Sequence, residues 1–352
     1  MINVLGLALY GPLAASTRYR LLQYCPGLAT RDIRLEVHSL LGDKYLSRQF
    51  AGGRLPLISM LRSGFCRFCK LIAQRKYDCA IIHCELFPLL PGIIESRLLQ
   101  VPYIYDFDDA FYLKYRSGGL GLLSPVLGGK FDTVIQRATA VTAGSRLLAE
   151  YAEPLNHNTI FLPTVVDTKR YLSEPSSKVN DIFTVGWIGS PSTSTYLTQV
   201  VEALSLIGNE SPVRLIVVGG NSPSIPNVDV VEIQWSEDTA IDHINTFDVG
   251  IMPLLDNAWA RGKCAFKLIQ YMACGVPAIA SPVGANSDVL NESCGIFANG
   301  SEQWLQALRY MRDNPEKRKA MGRLARERIE SDFSLQRNLP LMASIIKSVC
   351  GV

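Results

Sequence analysis

Short apolar runs that end in Gly, Ser, Asp or Pro alternate along this chain with longer stretches of helical periodicity. Such alternation is typical of parallel strands joined by crossover helices. Because the runs are apolar throughout, we expect helices to cover both faces of each sheet. The runs are INVLGLALY, IRLEVHSL, CAIIHCE, VPYIYDF, AVTAGS and TIFLPTV in the first half, and FTVGWIGS, RLIVVGG, VDVVEIQW, DVGIMPLL, VPAIASP and CGIFANG in the second. The sequence therefore predicts an α/β fold with two doubly wound Rossmann-like domains.

The length of 352 residues also favours two domains, because it exceeds what one hydrophobic core usually serves. The polar segment YLSEPSSKVND, Tyr171 to Asp181, is the best candidate for the linker. We predict an N-terminal domain over residues 1–172 and a C-terminal domain over residues 178–334. The last helical stretch, about 335–352, is expected to pack back on the first domain.

Composition and charge exclude several classes of protein. The formal net charge of +3 is too small for a nucleic-acid-binding protein, which usually carries a concentrated basic stripe. No apolar run approaches the ~20 residues that span a bilayer, and the N-terminus lacks the pattern of a signal peptide. We therefore expect a cytoplasmic protein.

The nine cysteines are odd in number and mostly lie in apolar segments, which favours a reducing compartment. Cys66 and Cys69 form a lone CxxC inside a segment of helical periodicity, so we expect them to pack rather than to bind a metal. The four histidines form no metal-like cluster in the sequence. His83, at the end of CAIIHCE, could still reach a ligand site.

The stretch from Arg261 to Asp288 carries the strongest functional pattern. The segment CAFKLIQYMACG has helical periodicity. One stripe of a 3.6-residue period holds two lysines, an amide and a thiol, at Lys263, Lys267, Gln270 and Cys274. With Arg261, this stripe suits a nucleoside diphosphate: the cations would bind phosphate oxygens and Gln270 a ribose hydroxyl. Each residue alone could belong to a solvated helix face, but the combination favours a ligand site.

Two loops complete this candidate donor site. The segment SPVGANSDVL offers a helix N-terminus, and Gly284 is small enough for a pyrophosphate to approach the backbone, so Gly284, Ala285 and Asn286 are candidates. Gly189 and Ser190 end the run FTVGWIGS, and ligands of open parallel sheets bind beyond the carboxyl ends of strands.

The segment KLIQYMACGVPAIASPVG resembles the core motif of the family 4 (group 1) glycosyltransferases, and RGKCAFKLIQYMACG is similar to a bacterial subgroup of that family. The segments GPLAASTRYRLLQY, VPYIYDFDDAFY, FLPTVVDTKRY, VGWIGSPSTSTYL and FDVGIMPL follow in the order of comparable segments in such enzymes. The resemblance implies the GT-B fold, in which two Rossmann-like domains face a central cleft. It also implies metal-independent, retaining transfer of a sugar from a nucleoside-diphosphate sugar to an acceptor hydroxyl, without a cofactor.

The chain departs from the family pattern in two places. The family commonly has an E-x7-E pair where this chain has Gly262 and Gln270, so a sugar contact by the first Glu is missing. The family often places an Arg and a Lys after the first strand of the second domain. Here that loop is GSPSTSTY, so Arg261, Lys263 and Lys267 are the expected substitutes.

Acidic side chains follow the run VPYIYDF. Asp106 and Asp108 form a DxD, which elsewhere binds a divalent metal, but DxD is a weak motif and the resembling family is metal-independent. In that family this strand end lies on the acceptor side. We therefore predict Asp106 and Asp109 as catalytic residues that orient, or accept a proton from, the attacking hydroxyl. The alternative is that they are carboxylates of a solvated loop or caps of a helix.

The segment GPLAASTRYR follows the first run. Ser16 or Thr17 can cap the next helix, and Arg18 and Arg20 fall in its first turn. Cations at a helix start oppose the helix dipole, which indicates an anionic group nearby, either donor phosphates or a phosphorylated acceptor. Two surface arginines are the alternative.

The basic and apolar stretch from Arg54 to Lys76 resembles an interfacial helix, which would make peripheral contact with the inner face of an anionic membrane. An amphipathic helix that covers the sheet is the alternative. The family resemblance implies a carbohydrate or lipid-linked acceptor, in bacterial polysaccharide or lipopolysaccharide synthesis. Two other functions stay open: a nucleotide-sugar epimerase of the same fold, and a non-catalytic nucleotide-sugar-binding partner subunit.

Overall fold

The chain divides into two units of similar size in a computed structural model. The structure describes residues 1–53, 57–116, 124–171 and 182–352. Unit 1 comprises Met1–Val165, Gly262–Cys264 and Leu335–Val352, and unit 2 comprises Val166–Arg261 and Ala265–Ser334.

Unit 1 contains a parallel sheet of six strands in the order β2-β1-β3-β4-β5-β6. The strands are β1 (Ile2–Tyr10), β2 (Ile33–Leu41), β3 (Cys79–His83), β4 (Tyr103–Phe107), β5 (Ala140–Ala143) and β6 (Thr159–Phe161). The helices are α1 (Ala15–Thr17), α2 (Tyr24–Ala29), α3 (Asp43–Phe50), α4 (Leu57–Ile72), α5 (Gly92–Leu98), α6 (Phe111–Arg116), α7 (Ser124–Leu127), α8 (Lys130–Arg137), α9 (Arg146–Ala152) and α18 (Leu335–Val349), with a π-helical turn at Arg18–Leu22 and a 3-10 turn at Gln74–Lys76.

Unit 2 contains a second parallel sheet of six strands, in the order β12-β11-β10-β7-β8-β9. The strands are β7 (Phe183–Ile188), β8 (Val213–Val218), β9 (Asp229–Ile233), β10 (Val249–Met252), β11 (Ala278–Ala280) and β12 (Gly295–Phe297). The helices are α10 (Pro191–Ser194), α11 (Val201–Glu210), α12 (Ala240–Ile244), α13 (Ala258–Arg261), α14 (Phe266–Ala273), α15 (Asn286–Val289), α16 (Ser301–Asp313) and α17 (Pro315–Asp332), with a 3-10 turn at Thr195–Val200.

The two parallel sheets confirm the predicted fold class. Each apolar run of the sequence contains one strand, and β3, β4, β5, β7 and β10 are buried along their whole length. Two buried apolar clusters hold side chains of the sheet in unit 1. The second of these includes Met342 and Ile346 of α18, so the C-terminal helix is part of the core of unit 1.

The boundary between the units differs from the sequence-based boundary near residue 172. Val166–Tyr171 belongs to unit 2 because Val166 N donates to Phe333 O at 3.1 Å and the Arg326 guanidinium donates to the carbonyls of Thr168 and Tyr171. Most of the predicted linker, residues 172–181, lies outside the described residues.

A buried ionic cluster lies within unit 1. The Lys130 ammonium is 2.9 Å from Glu85 Oε2 and 3.0 Å from Glu95 Oε1, and it donates to Phe87 O at 2.6 Å. Tyr115 Oη donates to Glu85 Oε2 at 2.6 Å. Burial raises the pKa of Glu95 to about 7, although Lys130 acts to lower it. This cluster therefore contains an acid that holds its proton well above the usual pH range of a glutamate.

The raised pKa of Glu95 gives a testable pH dependence of stability. Between about pH 4.5 and about pH 7 the folded chain holds a proton that the unfolded chain releases, so stability falls as pH rises through this window. We expect Glu95→Gln to remove roughly 1–3 kcal/mol of this fall, because one pKa unit corresponds to about 1.4 kcal/mol. The measurement is urea unfolding across the window, followed by far-UV circular dichroism.

Glu153→Gln, at an exposed position, is the matched control. Its stability should depend on pH as that of the wild type does. If the stability of Glu95→Gln fell with pH as steeply as that of the wild type, the proton that the folded chain holds in this window would belong to another group.

Candidate functional site

The strand order of unit 2 reverses between β7 and β10. In open parallel sheets ligands bind at such a reversal, beyond the carboxyl ends of the strands. Gly189 and Ser190 come directly after β7, and Ser190 lies at the start of α10 with its hydroxyl 2.9 Å from the Ser192 hydroxyl. The sequence therefore placed these two residues at the edge where the fold favours a ligand.

Trp187, at the end of β7, forms a buried platform beneath this edge. A Cβ on Gly189 would lie 2.5 Å from Trp187 Cη2, and one on Gly220 would lie 2.6 Å from Trp187 Cζ3. Gly219 has φ +80 and passes close to Gly189 O. Glycines at these positions thus allow the loops after β7 and β8 to pack around the indole.

The Lys267 ammonium lies 5.3 Å from the centroid of the Trp187 ring, within the range of a cation–π contact. Lys267 Cε lies only 2.7 Å from where a Cβ on Gly189 would be. The side chain is therefore held beside the turn of Gly189 and Ser190, where it brings positive charge to the carboxyl end of β7.

Lys263 does not lie on the helix that the sequence predicted for it. Helix α14 begins at Phe266 because Ala265, its N-cap, has a left-handed backbone with φ +54. Lys263 belongs instead to unit 1, where its ammonium is 3.9 Å from Asp109 Oδ1. The predicted stripe is thus corrected: its members on the helix are Lys267 and Gln270, and Cys274 follows as the C-cap.

Gln270 is buried in unit 2, and its Nε2 donates to Tyr171 Oη at 3.0 Å. This hydrogen bond fixes the orientation of the amide. The exposed guanidinium of Arg261 makes a two-pronged contact with Asp256, at 2.6 Å and 3.0 Å. Its partner is therefore a carboxylate of its own loop.

The loop of Gly284, Ala285 and Asn286 also differs from the expectation. Gly284 has φ +54, and the space that a Cβ would need is taken by the backbone of Arg261, so this glycine accommodates another part of unit 2. Helix α15 is only four residues long, and Asn286 is buried with Nδ2 donating to Ser281 O at 3.0 Å. The structure therefore gives Gly284 and Asn286 internal packing roles.

Gly262 occupies the position of the first Glu of the family pair. A Cβ at this position would collide with Ala110 in unit 1. The absence of the Glu side chain therefore has a packing cause, since Ala110 fills the space that the side chain would enter.

In unit 1 the strand order reverses between β1 and β3. A buried polar cluster occupies the carboxyl ends of these strands and of β4 and β5. Asp106, on β4, accepts hydrogen bonds from His83 Nδ1 at 2.7 Å, from Thr142 Oγ1 at 2.6 Å and from two nitrogens of Arg20. Burial alone would raise the pKa of Asp106, but Arg20 and His83 hold it well below its ordinary value.

Arg20 is fully engaged inside this cluster. It is buried, and it donates to Leu162 O at 2.5 Å as well as to Asp106. The sequence indicated an anion near this arginine and proposed a substrate phosphate. The structure corrects this prediction, because the anion is the chain's own Asp106.

Arg18 and Ser16 are likewise placed differently from the expectation. Arg18 donates to the carbonyls of Pro12 and Leu13 at 2.5 Å and 2.9 Å. The N-cap of α1 is Ala14, which makes no side-chain cap, and Thr17 donates its hydroxyl to Tyr10 O at 2.9 Å. The predicted capping by Ser16 or Thr17 is therefore wrong.

Asp108 and Cys84 lie beside the other nitrogen of His83. His83 Nε2 is 3.3 Å from Cys84 Sγ and 4.0 Å from Asp108 Oδ1, and Asp108 Oδ1 is buried without a hydrogen-bond partner. Burial raises the pKa of Asp108 and of Cys84. These three groups lie within 4.8 Å of one another, and a borderline cation such as Zn²⁺ would accept such a ligand set. Arg20 already pairs with Asp106, so the charge of that carboxylate is compensated without a metal.

Asp109 is the more accessible of the two predicted catalytic carboxylates. Its side chain is 34% exposed, whereas that of Asp106 is 1% exposed. A substrate hydroxyl can therefore reach Asp109 directly, whereas Asp106 can act only through the groups that it holds.

Two residues at these edges carried little signal in the sequence. The sequence indicated that His83 could reach a ligand site, but its partner Asp106 is 23 residues away and the pairing left no local signal. Trp187 is one of several apolar residues in the run FTVGWIGS. Their positions at the carboxyl ends of β3 and β7, where the strand order of each sheet reverses, become apparent only in the structure.

The chain was compared with known proteins. Residues 180–314, less than half of the chain, match the family model described as "Glycosyl transferases group 1". Among curated protein sequences none matches the chain. The match identifies a group 1 glycosyltransferase domain in the second half of the sequence.

The whole chain is similar in fold to solved glycosyltransferases. A glycosyltransferase from Rickettsia africae is 13% identical with a TM-score of 0.67, over 99% of this chain and 98% of that chain. Sucrose-phosphate synthase from Thermosynechococcus elongatus is 14% identical with a TM-score of 0.72, over 100% of both chains. HepE from Anabaena, solved in complex with UDP, is 14% identical with a TM-score of 0.67, over 99% of this chain and 100% of that chain.

The likeness establishes the GT-B fold for the whole chain. Together with the family match over residues 180–314, it defines the class of the protein, which is a glycosyltransferase. The roles of the individual site residues remain predictions.

The buried pair of Asp106 and Arg20 gives a prediction about stability. We expect Asp106→Asn to lower the free energy of unfolding by about 3–5 kcal/mol, because it leaves the charge of Arg20 buried without compensation. All four tryptophans lie in unit 2, so the measurement is urea-dependent hydrogen exchange of the β3 and β4 amides in unit 1.

Asp132→Asn is the control, because Asp132 pairs with Arg116 at the surface of the same unit. It should change the stability by no more than about 1 kcal/mol. Equal effects of the two substitutions would contradict the structural role given to Asp106.

Proposed function

We propose that the protein transfers a sugar from a nucleoside-diphosphate sugar to an acceptor hydroxyl, as a metal-independent, retaining enzyme of the family 4 (group 1) type and its bacterial RGKCxFKLxQYMA subgroup. The observation that carries the proposal is the position of Lys267 beside Gly189 and Ser190, at the sheet reversal of a group 1 glycosyltransferase domain. A charged donor at such an edge is suited to phosphate oxygens.

The donor is proposed to be a UDP-sugar. HepE, which shares the fold, has been solved with UDP, with UDP and glucose, and with UDP-glucose. In the present chain, Lys267 would neutralise the β-phosphate of the leaving UDP as charge develops on it. Ser190 would donate a hydrogen bond from its hydroxyl to the same diphosphate. Gln270 would form a hydrogen bond with a ribose hydroxyl.

We propose that unit 1 binds and orients the acceptor. Asp109 is the carboxylate that would accept a hydrogen bond from the acceptor hydroxyl, because its side chain is partly exposed and lies 3.9 Å from the Lys263 ammonium. Asp106 would act as a positioning residue that orients His83 through the hydrogen bond to Nδ1. Cell-surface polysaccharide or lipopolysaccharide synthesis is the proposed setting, with a carbohydrate or lipid-linked acceptor.

The reaction is tested by incubating the enzyme with UDP-glucose and other nucleotide sugars and a panel of acceptors. We expect transfer that persists in excess EDTA, because the positive charge comes from side chains, and a product whose anomeric configuration equals that of the donor by NMR. Turnover that required added Mg²⁺ would contradict metal independence. Tight binding of UDP-sugars without transfer to any acceptor would instead support a non-catalytic partner subunit.

Replacement of Lys267 tests the donor site. We expect Lys267→Met to weaken UDP binding by roughly 10- to 100-fold, because a hydrogen bond to a charged group contributes about 1.5–3 kcal/mol and each 1.4 kcal/mol is tenfold. The measurement is the Kd of UDP by titration calorimetry.

Lys319→Met, at an exposed position of α17, is the matched control and should bind UDP as the wild type does. Asp109→Asn should also keep the Kd of UDP and raise the KM of the acceptor. An unchanged Kd in Lys267→Met would remove Lys267 from the donor site.

A further inference from the structure

Helix α4 of unit 1 exposes a continuous apolar stripe. The stripe, which we call the α4 stripe, consists of Ile58, Leu61, Phe65, Phe68 and Ile72, which are 85%, 76%, 69%, 46% and 67% exposed. The spacing of three and four residues places all five side chains on one side of the helix. A surface helix normally turns such a stripe toward the core, so this one is unusual in facing away from it.

The opposite side of α4 already holds the helix on unit 1. Arg67 is buried and donates to Ala8 O at 2.6 Å and to His38 O at 2.9 Å. Leu71 is buried in the main cluster of the sheet, and Met60 packs against a smaller cluster. The fold therefore does not need the α4 stripe for its own stability.

A polar cavity of about 330 Å³ lies between α4 and β2, and it is lined by side chains of these two elements. Its lining includes Arg62, Lys70 and His38 as well as the hydroxyls of Ser59 and Ser63. Glu36, which is outside the lining, is 3.3 Å from the Lys70 ammonium and 2.7 Å from the His38 ring. The lining contains no acidic side chain, so the cavity suits an anionic group.

Charge also decides between the partners that an apolar stripe could have. The sequence from Leu57 to Lys76 contains arginine and lysine but no Asp or Glu. Two copies that paired through the stripe would bring like charges together, which costs affinity. An anionic lipid surface instead supplies an apolar layer and negative phosphates at adjacent depths.

We propose that α4 lies in the plane of an anionic membrane surface, with the α4 stripe among the acyl chains and the basic side chains of the helix, such as Arg62, attracted to the phospholipid phosphates. No helix among the described residues has both the length and the apolar character to cross a membrane, so this contact would be peripheral. The proposal does not depend on the sugar-transfer reaction, because membrane binding can be measured without turnover.

The test is flotation of the full chain with vesicles of phosphatidylglycerol and phosphatidylcholine, compared with vesicles of phosphatidylcholine alone. We expect the wild type to float with the anionic vesicles and to be released by high salt, since screening weakens the attraction of the phosphates. The double variant Leu61→Ser and Phe65→Ser should lower the bound fraction at least about tenfold, because binding scales with buried apolar area.

Arg62→Glu should bind anionic vesicles no better than neutral ones. The matched controls are Leu324→Ser and Lys319→Glu, which change exposed positions of α17 and should float as the wild type does. Circular dichroism verifies that each variant is folded.

Two outcomes would overturn the proposal. In the first, the wild type stays unbound with anionic vesicles. In the second, the wild type is a dimer by light scattering and the Leu61 and Phe65 double variant is a monomer with unchanged flotation, which would assign the stripe to a second copy.

Discussion

One buried negative charge organises the carboxyl edge of the sheet in unit 1. Asp106 is shielded from water, and an ionised carboxylate in such a place is stable only with strong partners. Its partners come from three other segments: Arg20 after β1, His83 at the end of β3 and Thr142 on β5. The same network that satisfies the charge therefore joins four strand ends and sets the direction of the imidazole.

Close packing explains why three positions of the candidate site are glycines. Ala110 fills the space beside Gly262, and the backbone of Arg261 fills the space beside Gly284. Gly189 leaves room for both Trp187 and Lys267. In this chain the glycines therefore bring segments into contact, and in the function that we propose Lys267 and Asp109 would supply the charge of the missing glutamate and cation.

The fold could be predicted from the sequence because it depends on a local signal. A strand buried on both faces is apolar throughout, and this pattern can be recognised without knowing which distant segments pack against it. The start of α14 could not be predicted, because Ala265 adopts a left-handed backbone that the amino acid itself disfavours. The pairing of Arg20 with Asp106 was also invisible, since 86 residues separate the two and a local pattern shows only a cation near a helix start.

Helix α4 has two chemically different sides. The sequence offered an interfacial helix or a helix covering the sheet, and in the structure one side contacts the sheet while the α4 stripe is exposed. Arg67, one of the cations of this basic stretch, is buried and donates hydrogen bonds to carbonyl oxygens, and burial lowers its pKa to about 10. Cys66 and Cys69, expected to pack, are exposed. Polar contacts anchor the helix and apolar side chains face outward, so the core does not account for the apolar pattern of α4, and the membrane contact that we propose would account for it.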